Sequence, residues 1–120
     1  MLLQSGCKIN LGLQIISKRA DGYHNINSLC FPLNWQDIIE LLVVPQQKEP
    51  IILKTSGLKI NTDSTNNTIY KVLNLLKAQF KLPPIFIHIH KNIPMGAGLG
   101  GGSANAAMVL KYLQQHLLMQ

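Results

Sequence analysis

With 120 residues, 47% of them apolar and 13% charged, the sequence describes one domain or a piece of one, with enough material for a core. A net charge of +6 suits anionic ligands such as nucleotides, and equally RNA. No apolar run approaches the ~20 residues that span a bilayer and no charged leader precedes an apolar region, so a soluble cytoplasmic protein is expected.

From Lys8 to Ile16 the residues alternate, with Ile9, Leu11, Leu13 and Ile15 on one side and Lys8, Asn10, Gly12 and Gln14 on the other. The pattern predicts a half-buried strand. Asp21-Gly22 marks a turn, and Tyr23 to Leu33 should pair back as a hairpin. Pro32 and the cluster Asn34 to Asp37 are expected to break that second strand, with Ile38 to Val44 resuming as another before Pro45. Gln46 to Pro50 reads as an exposed loop, Ile51 to Ile60 as strand-like around Gly57, and Asn61 to Asn67 as a polar loop. A helix is predicted over 68–80, with Ile69, Val72, Leu73, Leu76 and Phe80 on one face and Asn66, Asn67 or Thr68 as its cap. Pro83-Pro84 stops it, and Ile85 to Lys91 alternates as a further strand.

A last helix should run from Ser103 or Ala104 to about Met119, with Ala106, Val109, Leu110, Leu113 and Leu117 on one face. Those leucines need cover, so an uncovered last helix would offer a surface for self-association or for a carboxy-terminal partner chain. The element order predicts an α+β domain with a mixed or antiparallel sheet. Cys7 and Cys30 lack metal spacing and are expected as buried free thiols. His88 and His90 face one way on their strand, but with no third ligand in sight they read as a solvated pair. Lys71, Lys77, Lys81, Lys91 and Lys111 have no acidic neighbours in sequence.

Between the last strand and the last helix stands Pro94-Met95-Gly96-Ala97-Gly98-Leu99-Gly100-Gly101-Gly102-Ser103-Ala104, with five glycines in seven residues. Such a loop can take positive φ and close its backbone N–H groups on an anion, and the helix behind it adds unpaired donors and the positive end of its dipole. These parts make a phosphate cradle. Two better-known loops are excluded. A dinucleotide fingerprint wants an acidic residue about 20 positions on, and no Asp or Glu follows Asp63. A P-loop wants a lysine before its Ser/Thr, where Gly102 precedes Ser103.

The stretch Pro94 to Ala107 resembles the ATP loop of the galactokinase, homoserine kinase, mevalonate kinase and phosphomevalonate kinase (GHMP) superfamily. The triple glycine after Leu99, with Ser103 and Asn105, together with Lys8-x-Asn10 and Ala20-Asp21-Gly22-Tyr23-His24, is most similar to the 4-diphosphocytidyl-2-C-methyl-D-erythritol kinases. The resemblance covers nearly the whole of the chain but only the amino-terminal part of that family's length, so residues 1–120 would be the ATP-binding part of such a kinase.

The resemblance implies ATP and Mg2+ at the loop, with Pro94, Met95, Gly96, Ala97, Gly98, Leu99, Gly100, Gly101, Gly102, Ser103 and Ala104 around the phosphates and Ser103 near the magnesium. Asn67 would face the adenine, or cap the first helix, or both. Lys8 would be the catalytic cation beside the substrate hydroxyl, with Asn10 orienting substrate. Tyr23 and His24 would hold the cytosine of a cytidine diphosphate derivative; the aromatic face and the two ring nitrogens suit that task, as they suit hairpin packing and a surface site. Lys91 fits either a place near the nucleotide or solvent. The family's proton-accepting aspartate belongs to a later Gly-Ala-Asp segment, so this chain alone is expected not to turn over. A rival class is a basic, non-catalytic RNA-binding module; nucleic acid and membrane are not favoured partners.

Overall fold

The computed structural model describes residues 1–60 and 63–118, without the side chains of Leu117 and Leu118. Four strands form one sheet in the order β1-β2-β4-β3: β1 is Leu2–Lys18, β2 His24–Val43, β3 Ile51–Gly57 and β4 Ile85–Lys91. β1 with β2 and β2 with β4 are antiparallel, and β3 with β4 is parallel across helix α1 (Thr68–Gln79). Helix α2 is Gly101–Leu113 and continues as one π-helical turn, Gln114–Leu118. This is the expected α+β domain with a mixed sheet.

The core lies between one sheet face and the two helices. Ile85, Ile87 and Ile89 of β4 point into it, as the period of two requires, with Ile39 and Leu41 of β2 beside them. From the helices come Ile69 and Leu73, then Ala106, Val109 and Leu113, each set at three- and four-residue spacing. Ala106, Val109 and Leu113 are buried within this chain, so that part of the last helix is covered by its own sheet and neighbouring helix. Leu110 does stay 39% exposed, and the part of the helix predicted to reach Met119 lies outside the described residues.

The hairpin differs most from expectation. β2 does not break at Pro32 but runs on as one strand of 20 residues. β4 pairs with β2 only from Ile38 to Val43, and Lys8, opposite Pro32, sends its own N–H away from β2 to Leu99. Pro32 therefore sits where no neighbouring strand asks it for a donor. The cluster after it is absorbed as a bulge: Gly6 pairs with Gln36 and Cys7 with Leu33, leaving Asn34 and Trp35 extra.

A second bulge, between Leu11 and Gln14, puts one more residue in β1 than in β2, and Gly12 there takes φ +69°. One extra residue reverses the phase of the strand. Leu11 opposes Leu29 on one face, whereas Ile15 opposes Ile26 on the other, so the expected continuous apolar side does not exist. Nor is this half buried: Leu11 to Lys18 are all exposed. Cys7 is buried as expected, but Cys30 is exposed on the same hairpin.

Candidate active site

The glycine loop lies along the free edge of β1. The backbone N–H of Lys8 donates to the Leu99 carbonyl at 3.0 Å, and Lys8 Nζ donates to the Gly98 carbonyl at 2.9 Å and to Asn10 Oδ1. Asn10 in turn donates to Ser28 Oγ at 2.9 Å, so its amide is oriented with the oxygen toward Lys8. The polar face read from the first strand thus meets the loop directly.

The loop's conformation depends on its glycines. Gly96, Gly98 and Gly100 alternate with other residues at φ +74°, +72° and +73°, a backbone that side-chain-bearing residues rarely adopt. Alternation of this kind turns successive N–H groups toward one concavity, the arrangement that binds anions. Gly100 is the cap residue of α2, which begins at Gly101, two or three residues earlier than predicted; Ser103 makes no cap bond and is an exposed residue of the first turn. A groove of about 250 Å³ is bounded by Thr68, Pro94, Met95, Gly96, Gly98 to Gly102 and Ser103. No acidic side chain lines it.

Two further hollows adjoin this groove and share Met95 with it. One, about 470 Å³, is walled mainly by apolar Leu58, Ile93, Pro94 and Met95. The other, about 60 Å³, has Asn66, Asn67, Lys91 and Asn105 among its walls, beside Ile60 and Met95. Asn67 caps α1, its Oδ1 accepting from the Ile69 N–H at 2.9 Å, and still borders this hollow, so both roles read for it are compatible.

Lys91 is not in solvent. It is 2% exposed and paired to Asp37, which is wholly buried. Asp37 also accepts from Asn105 Nδ2 at 3.0 Å and from the backbone N–H groups of Asn92 at 2.8 Å and Ile93 at 2.9 Å. Burial alone would raise the Asp37 pKa; the Lys91 ammonium, the two backbone donors and the Asn105 amide outweigh it and hold the carboxyl below its ordinary value. Sequence reading assigned no role to Asp37 or Asn105. A signal existed: Asp37 has the same phase as Ile39 and Leu41, and Lys91 the same phase as Ile85, Ile87 and Ile89, so one acid and one base occupy core-facing positions.

Tyr23 and His24 are at the other end of the hairpin. His24 pairs with Lys18, and Tyr23 is 73% exposed in a turn shaped by Asp21, which bonds Arg19 at 2.6 Å and accepts from the Tyr23 N–H at 3.1 Å. Alternate residues of β2 place His24 on the same hairpin face as Ser28 and Cys30, the face that Lys8 and Asn10 share through their register. Along the strand, however, His24 stands roughly 26 Å from the position opposite Lys8, at about 3.3 Å per residue. Neither Tyr23 nor His24 lines any of the three hollows at the loop. His88 and His90 do face one way: both lie 2.9 Å from Ser56 Oγ, and no group of three or more metal-ligating residues occurs among the described residues.

Comparison with known proteins bears on this geometry. Residues 67–119 match the family model described as the GHMP kinases N-terminal domain. A 4-diphosphocytidyl-2-C-methyl-D-erythritol kinase of Bacteroides fragilis is 44% identical over 115 residues, 96% of this chain and 42% of that protein. One from Cytophaga hutchinsonii is 44% identical over 113 residues, covering 94% and 40%. A crystal structure of 4-(cytidine 5'-diphospho)-2C-methyl-D-erythritol kinase superposes with a TM-score of 0.75 at 34% identity, over 96% of this chain and 40% of that one. The chain thus spans about two fifths of the length of the relatives it matches. In sequence and in fold alike, the chain is similar to the amino-terminal part of the GHMP kinases, and residues 67–119 carry the match to their N-terminal domain.

Proposed function

We propose that this chain supplies the ATP-binding part of a kinase that moves the γ-phosphoryl of ATP to the 2-hydroxyl of 4-diphosphocytidyl-2-C-methyl-D-erythritol, a step of non-mevalonate isoprenoid synthesis. The observation that carries the reading is the contact of Lys8 with the glycine loop, through its backbone at Leu99 and its ammonium at Gly98. A triphosphate in the groove would meet the N–H groups of the loop and the first turn of α2, which also brings a positive dipole end. The Lys8 ammonium would then stand at the lip of that groove. There it counters charge on the transferred phosphoryl and lowers the pKa of an approaching hydroxyl. Asn10 keeps the ammonium in place through its oriented amide.

Mg2+ would arrive with the nucleotide, neutralising phosphate charge. Of the α2 residues at the groove, Ser103 alone offers a side-chain hydroxyl, and the groove has no carboxylate, so phosphate oxygens and water would supply the rest of the ion's ligands. Tyr23 and His24 would grip the cytosine by stacking and by hydrogen bonds to its edge, with the rest of an elongated substrate laid along their shared face toward Lys8. None of the five acidic residues contacts Lys8, and Asp37 is buried and committed, so the chain by itself has no base for the hydroxyl proton.

The test is a titration of the labelled 120-residue chain by NMR with ATP and, separately, inorganic tripolyphosphate. Shifts in Gly96 to Ser103 are expected with both ligands, at least about tenfold weaker in Gly100→Val, whose side chain would sit at positive φ against Lys8. No phosphoryl transfer is expected from this chain. Unchanged binding by Gly100→Val would overturn the reading of the groove, and turnover by this chain would overturn the statement that it has no base.

A further inference from the structure

The bulge that upsets the first strand also ends a chain of hydrogen bonds that starts at Lys8. Gly12 and Leu13 stand together opposite Ser28, because Leu11 pairs with Leu29 and Gln14 with Asn27. With Gly12 at φ +69°, its carbonyl meets the Ser28 hydroxyl, which donates to it at 2.6 Å. A Cβ on Gly12 would meet nothing within 4 Å, so the glycine serves the backbone conformation and not the space. A hydroxyl has one proton to give, so Ser28 Oγ faces Asn10 as an acceptor and takes its amide N–H at 2.9 Å. The Asn10 oxygen is left for the Lys8 ammonium, whose other partner is the Gly98 carbonyl at 2.9 Å. From the ammonium to the bulge, every link donates the same way.

A lysine is a point charge on a flexible stem, and holding it still costs rotamer freedom. Gly98 and Asn10 hold Lys8 from two sides and use two of its three ammonium protons, so the direction of the third is settled as well. Asn10 can do this only if its own side chain is fixed. Ser28 supplies that fixture, since the other neighbour of the Asn10 amide, Cys30 Sγ at 3.6 Å, is a weak acceptor. Ser28 does not line the groove itself. We propose that Ser28 is a positioning residue for phosphoryl transfer: by anchoring Asn10 to the bulge carbonyl, it holds the Lys8 ammonium, with one N–H free, in a fixed place at the lip of the groove. The use made of that ammonium rests on the kinase reading of the groove; the hold on it does not.

The experiment follows Lys8 by NMR relaxation in the labelled chain, with the ε-methylene reporting the side chain and the amide reporting the backbone. In the native chain the order parameter of the Lys8 ε-methylene should be at least about twice that of the exposed Lys71 and Lys77. Ser28→Ala should bring it down to their level and leave the Lys8 amide, held by Leu99, as ordered as before. Ser28→Thr keeps the hydroxyl and should keep the native value. A native Lys8 as mobile as Lys71, or an unchanged side chain in Ser28→Ala, would overturn the inference. So would a Ser28→Thr chain that behaves like Ser28→Ala. Loss of order in amide and side chain together would reduce Ser28 to a support of the hairpin and overturn it too. Inorganic tripolyphosphate is titrated into the native chain alongside. Its failure to bind would overturn the phosphate-cradle reading, while the relaxation of Lys8 would still decide the hold by Ser28.

Discussion

Asp37 is wholly buried and yet stays ionised, because four donors converge on it: Lys91 Nζ, Asn105 Nδ2 and two backbone N–H groups. Its pKa is depressed in the folded state, so its contribution to stability is complete above the unfolded value of about 3.9. That contribution is lost as pH falls through the lower folded value. Chemical denaturation of the native chain should therefore show no Asp37-dependent change between pH 5 and pH 8, and a progressive loss below about pH 4. In Asp37→Asn this acid-side slope should flatten, on a fold already weakened by about 3–5 kcal/mol because Lys91 is left buried without its counter-charge. An equally steep acid limb in the variant would show that other groups set it.

At the scale of elements, Asn67 joins a helix cap to a hollow. Asn67→Ala removes the bond to the Ile69 N–H and should cost about 1 kcal/mol, read as a lowered melting temperature. Asn67→Ser keeps an oxygen for the cap but lacks the amide donor. Its melting temperature should stay near the native one while ATP binds more weakly; native affinity in that variant would limit Asn67 to capping. The hairpin makes the companion point for strands. Alternation in the first strand reads correctly through Leu11 and then fails, because the bulge at Gly12 and Leu13 changes which face each later residue occupies.

For the whole molecule, the hairpin is the outlier. β4 has neighbours on both sides and packs beneath both helices, whereas residues 11–32 of the hairpin have only each other. Leu13, Ile15, Ile16 and Leu29 are each 60% exposed or more, so little apolar burial opposes opening there. Amide exchange should consequently be fastest from Leu11 to Leu29 and slowest in β4, with a difference of at least about a hundredfold in protection. Uniform protection across β1 and β4 would contradict this. The same exposure bears on Tyr23 and His24, which sit at the end of the least supported part of the chain.

Sequence alone determined the local parts. β4 was read at its observed bounds, α1 to within a residue, and the asparagine cap and the positive-φ glycine loop were legible because each depends on neighbours a few positions away. The adjacency of Lys8 to that loop was implied by resemblance and is met by direct bonds, with Asn10 joined to the loop only through Lys8. Only the tertiary structure decided that Asp37, Lys91 and Asn105, separated by 54 and 68 positions from Asp37, form one buried cluster, and that Pro32 lies harmlessly within a strand. It decided also that Tyr23 and His24 stand far from the loop. The reason is physical: propensity and periodicity act over a turn or a pleat, whereas pairing, register and bulges are settled by which distant strand lies alongside.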